Sequence, residues 1–361
     1  MSRLVTFLTR TAGGSNDRAD RFGVADFLAY SYLVLGVLII LVPVLWTFFS
    51  SIKPERTLDT FDTRLVPYAQ VEAEVEGVGT KTVWEFHAED GSVSYVYKAG
   101  PTRKLTDVAT LENPEEVFQA SRKQLRPNEE IRVATENYLD PLLKRNGQDF
   151  FSFGTYLFNS IFVTVAATLI TLLINAMAAF ALSKYKFRGR LTVTILIIAT
   201  LLIPNSIILV SLFFVVWSFG IFGSLWGVII PAAATPTGVF LLRQYMLTIP
   251  DELLEAARMD AASEWRIFWR IIIPLSLPAL SVLAILSVIW RWNDFLWPLI
   301  VLISDPKLHT IQLGLTTFSG EFDIAFHYVL AMTVVSLIPI TLVFVWLQRF
   351  ITTGIATTGL K

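Results

Sequence analysis

Six long apolar blocks run along this chain, separated by short polar stretches and by one large polar exception. Residues 27–49, 158–182, 191–219, 271–289 and 328–347 contain no charged side chain, and 225–247 contains only Arg243. About 20 helical residues at ~1.5 Å each cross the hydrocarbon of a bilayer. Leu, Ile, Val and Phe at the centre of such a block each favour insertion by roughly 0.5 kcal/mol. The pattern therefore predicts an all-α polytopic membrane protein with about six transmembrane helices. Pro204-Asn205 interrupts the third block, frees backbone carbonyls and predicts a kink there. Pro231 and Pro236 lie in the fourth block and Pro339 in the sixth. The second block carries Asn159, Asn175 and several threonines, side chains suited to hydrogen bonds inside a helix bundle.

The exception spans 53–149, which is charged, punctuated by Pro and Gly, and without an apolar run long enough to span. Val83-Trp84-Glu85-Phe86-His87-Ala88 and Val93-Ser94-Tyr95-Val96-Tyr97 flank Glu89-Asp90-Gly91, a hairpin pattern. Asn113-Pro114-Glu115-Glu116 predicts a helix start: a cap residue, a proline and an acidic first turn. The expectation is a small α+β insertion between the first two membrane helices.

Charge sets the orientation. Lys184-Tyr185-Lys186-Phe187-Arg188-Gly189-Arg190 holds four basic residues and no acid, the mark of a cytoplasmic loop. Arg3, Arg10, Arg18 and Arg21 precede the first block, and no small-x-small cleavage site follows it. The expected layout is a cytoplasmic segment at 1–26, a first helix at 27–52 and an extracytoplasmic insertion domain at 53–149. A transmembrane core at 150–347 with a cytoplasmic loop at 248–274 follows, and a cytoplasmic tail is expected at 348–361. This is a multi-pass protein with both termini cytoplasmic.

Composition agrees and excludes other classes. The chain is 54% hydrophobic with 27 Phe and 10 Trp. Its formal net charge of −1 leaves no basic surplus to neutralise nucleic-acid phosphates. With no cysteine, disulfides, thiolate metal sites and cysteine nucleophiles are excluded together. His87, His309 and His327 are far apart and expected on the surface or in loops, so no metal site is expected. Gly77-Val78-Gly79-Thr80-Lys81-Thr82 lacks a Gly before its Lys and a strand–helix context, so it is no phosphate loop. No catalytic constellation stands at a plausible spacing, and an enzyme is not expected.

One polar interruption in the apolar C-terminal half organises the rest. Residues 250–274 read PDELLEAARMDAASEWRIFWRIIIP. Pro250, Asp251, Glu252 and Glu255 suit a helix start, and Ala256, Ala257, Ala261 and Ala262 leave a surface with little bulk. Glu255-Ala256-Ala257, Asp260, Ala262, Phe268, Ile271 and Pro274 match the EAA-xx-D-G-A … F-xx-I-xx-P signature of bacterial importer permeases. The segment resembles the cytoplasmic coupling loop of an ATP-binding-cassette (ABC) transporter membrane subunit. The signature's glycine is Ala261 here, so Ala261 must tolerate a backbone that suits glycine.

The resemblance implies a permease subunit of an ATP-driven, binding-protein-dependent importer in the bacterial inner membrane. The implied partners are an ATPase dimer, a second homologous permease, an extracytoplasmic solute-binding protein and membrane lipid, with no nucleic acid. ATP and Mg would be bound by the ATPase and no cofactor by this chain. Glu255 and Asp260 would be polar anchors of the joint, with the four alanines its close-packing surface.

Trp292-Asn293-Asp294-Phe295-Leu296-Trp297-Pro298 also resembles a segment of maltose-type sugar permeases, which points to an oligosaccharide or other sugar. Trp292, Asn293, Asp294 and Trp297 are therefore candidates for a translocation path or gate. An interfacial aromatic belt with Arg291 and Asp294 paired is the alternative. Asn137-Tyr138-Leu139 with Asn159-Ser160, and the tail Thr352-Thr353-Gly354 … Thr358-Gly359, are similar to the same group; residues 60–135 match nothing in it. An ATP-independent carrier, an importer of a non-sugar solute and a membrane-anchored binding protein remain as other readings.

Overall fold

The computed structural model describes residues 24–59, 64–75, 77–88, 91–101, 105–143, 152–319 and 324–358. Residues 1–23 of the N-terminal segment, Glu89 and Asp90 of the predicted hairpin turn, and 359–361 of the tail lie outside them. The chain divides into two units, residues 1–49 and 50–361. The described part of the first lies wholly in helix α1 (Val24–Ser51), a predominantly apolar helix whose last two residues belong to the second unit.

The second unit begins with a short helix, α2 (Glu55–Asp59), and eight strands. These are β1 (Tyr68–Gln70), β2 (Glu72–Val75), β3 (Gly79–His87), β4 (Val93–Lys98), β5 (Leu105–Thr110), β6 (Val117–Ser121), β7 (Leu125–Pro127) and β8 (Glu129–Ile131). Strands β2 to β6 pair in sequence order, β7 returns to β3, and β1 pairs with β8. The predicted hairpin is β3–β4, with Val83 opposite Tyr97 and His87 opposite Val93. The curled sheet wraps Val96, Val108, Ala120 and Leu125, with Trp84, Phe86 and Phe118 packed against them.

The helix expected at Asn113 is overturned. Residues 111–116 form the turn between β5 and β6, and Ala109 stands opposite Val117. The Asn113 N–H donates to Thr110 Oγ1 at 3.2 Å, and the Glu116 N–H donates to the Asn113 carbonyl at 3.2 Å. Residues that could have capped a helix close a turn instead, because the alternation after them buries Ala120 completely beside Val108. Over its described residues from 64 to 131 the insertion is β-structured.

Helix α3 (Glu136–Leu143) is tied to residues 51–53 at the start of the second unit. Asn137 Nδ2 donates to the carbonyls of Ser51 at 2.9 Å and Lys53 at 2.8 Å. The long helix α4 (Phe153–Lys184) is the centre of the bundle. The third predicted block is broken at Pro204 into α5 (Arg190–Thr200) and α6 (Asn205–Ser218). The fourth is broken at 230–235 into α7 (Leu225–Ile229) and α8 (Pro236–Met246), so Pro231 lies in the gap and Pro236 opens the second piece. Helix α9 (Asp251–Met259) precedes α10 (Glu264–Leu275), which bends by 77° into α11 (Leu277–Trp292). Short helices α12 (Leu296–Val301) and α13 (Ile311–Thr316) lead to α14 (Phe326–Thr358), whose backbone carries the tail through Thr352-Thr353-Gly354. Among the described residues three helices are long and apolar enough to cross a membrane, or four with the bent pair counted as one.

Helix α4 packs on α8 and α11, and α11 packs on α14. At one end of α4, Asn159 Nδ2 donates to the carbonyls of Lys307 at 2.8 Å and His309 at 3.1 Å, and Ser160 Oγ accepts from the Ile311 N–H at 2.7 Å. Its other end holds the 248–274 loop. His327, expected on the surface, is buried: α2 covers the first turn of α14, and Glu55 lies 3.6 Å from His327 Nδ1. Between α13 and α14, residues 320–323 lie outside the described residues.

Candidate functional site

The site begins with α9, a helix that buries one side chain in the bundle. Leu254, 2% exposed, is the single buried residue of α9. It enters a core made by Phe180 of α4, Leu242 and Met246 of α8, and Ile267, Phe268 and Ile272 of α10. Asp251 and Glu252 occupy the first turn, where the helix dipole favours negative charge.

The corner after α9 is a Schellman motif. The Ala262 N–H donates to the Ala257 carbonyl and the Ala261 N–H to the Arg258 carbonyl, both at 3.0 Å. Ala261 stands in the left-handed region at φ 55°, the one non-glycine residue with positive φ among those described. The four alanines divide here: Ala257 and Ala262 are half-buried and packed on the core, while Ala256 and Ala261 are exposed. Glu255 and Asp260 are exposed beside them.

Ser263 Oγ then accepts from the Arg266 N–H at 3.4 Å and starts α10. Phe268, 2% exposed, stacks on Phe180 with ring centroids 5.6 Å apart. Phe268–Ile272 form a π turn directly before Pro274, which has no N–H and would crowd the carbonyl four residues back. Helix α11 begins only after the bend at Ser276, so residues 271–275 belong with the hairpin and not, as expected, with the fifth span.

Two segments assigned to the same side of the membrane on separate grounds meet at this site. Lys184 Nζ, at the end of α4, donates to the Ile249 carbonyl at 2.5 Å and to Asp251 Oδ1 at 2.7 Å. That lysine side chain is 3% exposed against 74% for the aspartate, and its hydrogen bond holds Asp251 below the usual carboxylate range. Tyr185 donates its hydroxyl to Glu264, whose other oxygen accepts from Arg258 Nε at 2.9 Å. Burial first, then the hydrogen bond to Glu264, pushes Tyr185 up to about 12. The α9–α10 hairpin is thus clamped to the end of α4 by side chains from both of its helices.

The tryptophan segment lies at the other end of α11. Trp292 is buried and donates Nε1 to the Ser336 carbonyl at 3.0 Å; Trp297 is buried and donates Nε1 to the Gly227 carbonyl at 3.2 Å. Their faces pack in two different cores, with Ile311 and Met332 and with Val228 and Val301 respectively. Asn293 is exposed and bonds the Ile289 carbonyl at 2.8 Å, while Asp294 accepts from the Trp297 N–H at 3.4 Å.

Arg291 turns away from the pairing considered for it. Its guanidinium donates to Thr171 Oγ1 at 2.8 Å and to the Ala232 carbonyl at 2.5 Å. Asn175 closes the same gap between α7 and α8, exchanging hydrogen bonds with Thr235: Nδ2 to Oγ1 at 2.7 Å and the Thr235 N–H to Oδ1 at 3.1 Å. Asn175 was legible as a bundle residue. The partnership of Arg291 with a broken backbone more than fifty residues away had no sequence signal.

A model of the binding-protein-dependent transport system inner membrane component family matches residues 172–357. The arabinooligosaccharides transport system permease protein AraQ of Halalkalibacterium halodurans is 35% identical over 58% of this chain and 75% of its own length. The sn-glycerol-3-phosphate transport system permease protein UgpE of Pectobacterium atrosepticum is 32% identical over 68% of this chain and 86% of its own. A solved bacterial ABC transporter involved in import of the acidic polysaccharide alginate shares the fold, with a TM-score of 0.63 at 21% identity over 93% of this chain and 99% of that one. The chain belongs to the inner membrane components of binding-protein-dependent transport systems, translocation subunits rather than enzymes.

Proposed function

We propose that this chain is one of a pair of permeases in an ATP-driven importer of an oligosaccharide or other sugar. The observation that carries the coupling role is the hairpin at 251–275: a corner closed by its own backbone, seated through Leu254 and Phe268, and clamped to α4 by Lys184 and Tyr185. Such a body moves as one piece with the helices it joins. Closure of an ATPase dimer against Glu255, Ala256, Asp260 and Ala261 would tip α8 and α11 and alternate access to a path shared with the second permease. ATP and Mg reside on the ATPase.

In this reading the chain crosses the membrane six times, with α5–α6 and α7–α8 as broken spans. The 248–274 loop and both termini are cytoplasmic. The β-structured insertion is extracytoplasmic, on the side where a solute-binding protein docks. The sugar assignment draws support from the arabinooligosaccharide relative. With the indole faces of Trp292 and Trp297 packed inside the subunit, Asn293 and Asp294 are the members of that segment left to meet a solute. Purification in mild detergent tests the class: a stoichiometric ATPase and a second multispanning permease are expected to accompany the chain. Recovery of the chain alone, or as a homo-oligomer, would refute the proposal. The binding protein of the same system, screened against oligosaccharides and sn-glycerol 3-phosphate, tests the solute.

A further inference from the structure

Helix α10 has an exposed face that the hairpin itself does not use. Ile267, Phe268 and Ile272 point into the core, and beside them Trp265 at 62% and Trp269 at 50% exposure stand on the uncovered surface, one helical turn apart. Arg266 and Arg270 repeat the same spacing and are both exposed. Among the described residues no carboxylate forms an ion pair with either arginine; the nearby Glu264 is taken by Arg258 and Tyr185. Phe268 braces both indoles from below, with centroids 5.8 Å from Trp265 and 5.1 Å from Trp269.

The direction of α10 says what covers this face. It meets the spanning helix α11 at 77°, so it lies close to the membrane plane when α11 stands near the membrane normal. The corner between them exposes Leu275 and Leu277, continuing the apolar surface from the span onto α10. Indoles prefer the headgroup level of a bilayer, and arginine stems lie along apolar surface while their guanidinium groups reach phosphate. Lys186 and Arg188, exposed on the neighbouring turn, add positive charge next to the same helix, since Tyr185 touches Glu264 at its start.

We propose that the Trp265–Trp269 face of α10 is an interfacial lipid site that takes the anionic headgroups of the leaflet beside the coupling loop. Arg266 and Arg270 bind lipid phosphate, and the two indoles set the depth of the helix. The site fixes the height of the hairpin against the membrane, so the outer surface of α9 is left for the ATPase. The inference rests on the reading of 248–274 as a cytoplasmic loop at the membrane surface.

Tryptophan quenching by brominated lipids tests it with the full-length chain in nanodiscs and no ATPase present, so the result does not depend on assembly of the importer. The chain has 10 tryptophans, and the share due to this pair is the difference between wild type and Trp265→Phe/Trp269→Phe. That share is expected to be quenched at least about twofold more by brominated phosphatidylglycerol than by brominated phosphatidylcholine. Arg266→Gln/Arg270→Gln should abolish the preference and leave quenching by phosphatidylcholine in place. Equal quenching by both lipids with no effect of the arginine changes would overturn the anionic site. Quenching of the pair by aqueous iodide and by neither lipid would overturn the interfacial placement and give the face to a soluble partner.

Discussion

Ala261 carries a strain that one substitution removes. At φ 55° its Cβ crowds the following carbonyl, a conformation that costs an L-residue roughly 1–2 kcal/mol relative to glycine. Its side chain is exposed, so a glycine there loses no packing. Glycine has its own cost, about 0.4–1 kcal/mol through greater freedom of the unfolded chain. The difference leaves Ala261→Gly more stable in the hairpin by about 0.5–1 kcal/mol, a factor of roughly 2–5 in the local opening equilibrium.

Amide hydrogen exchange on the chain in nanodiscs reads this directly. The N–H groups of Asp260, Ala261 and Ala262 close the corner on the carbonyls of Ala256, Arg258 and Ala257. Their exchange should slow by that factor, with no change in α4 or α11. Ala261→Val is the opposite control, since a β-branched residue at positive φ is strained further; exchange should accelerate at the same amides. Slower exchange in the valine variant, or unchanged exchange in both, would refute the assignment of Ala261 to a left-handed Schellman position.

Three further outcomes follow from the same geometry. Leu254→Ala empties the one buried position of α9, at a cost of about 2–5 kcal/mol; α9 amides should lose protection and, in the assembled importer, ATP hydrolysis should continue while uptake falls. Because Tyr185 is raised to about 12 by burial and by its hydrogen bond to Glu264, its contribution is complete below pH 10 and is lost as pH rises toward 12. Phenolate absorbance, differenced against Tyr185→Phe, should therefore appear near 12, and a titration near 10 would remove Tyr185 from the cluster. Arg291→Met leaves the Ala232 carbonyl without its charged donor and should destabilise the bundle by about 1.5–3 kcal/mol in thermal melts, whereas Asn293→Ala, on an exposed side chain, should change little.

The apolar blocks and the helix–corner–helix at 251–275 were legible because both are local signals. An uncharged run longer than a bilayer is thick has few other uses, and a helix–corner–helix needs small residues and a cap at fixed offsets. Pro204 announced an interruption, but the gap at 230–235 is stabilised by side chains from other helices, and that information is not local. The Arg258–Glu264 pair is six residues apart, a spacing with no meaning on a helix; only the left-handed corner at Ala261 brings the two together. Asn113-Pro114-Glu115-Glu116 failed as a helix start because capping residues also make turns. The apolar alternation of Val117, Phe118 and Ala120 decides between the two only when a facing strand is there to bury it.

The break between α7 and α8 and the hairpin at 251–275 are joined through one helix, α4. An open helix end inside a membrane leaves backbone groups without partners, each costing several kcal/mol unless satisfied. Here Thr171, Asn175 and Arg291 satisfy the gap from α4 and α11, and Gly238 lets Asn175 approach, since a Cβ at that glycine would stand 2.1 Å from Asn175 Nδ2. From Asn175 to Lys184, α4 runs nine residues, about 14 Å at ~1.5 Å per residue, without a break. It ends on Asp251 of the hairpin. If the hairpin moves as proposed, a displacement of α9 would be carried by this unbroken helix to the 230–235 gap in the fourth block. On that reading the α7–α8 gap would be where such a push changes backbone conformation without breaking a helix, with α4 delivering it.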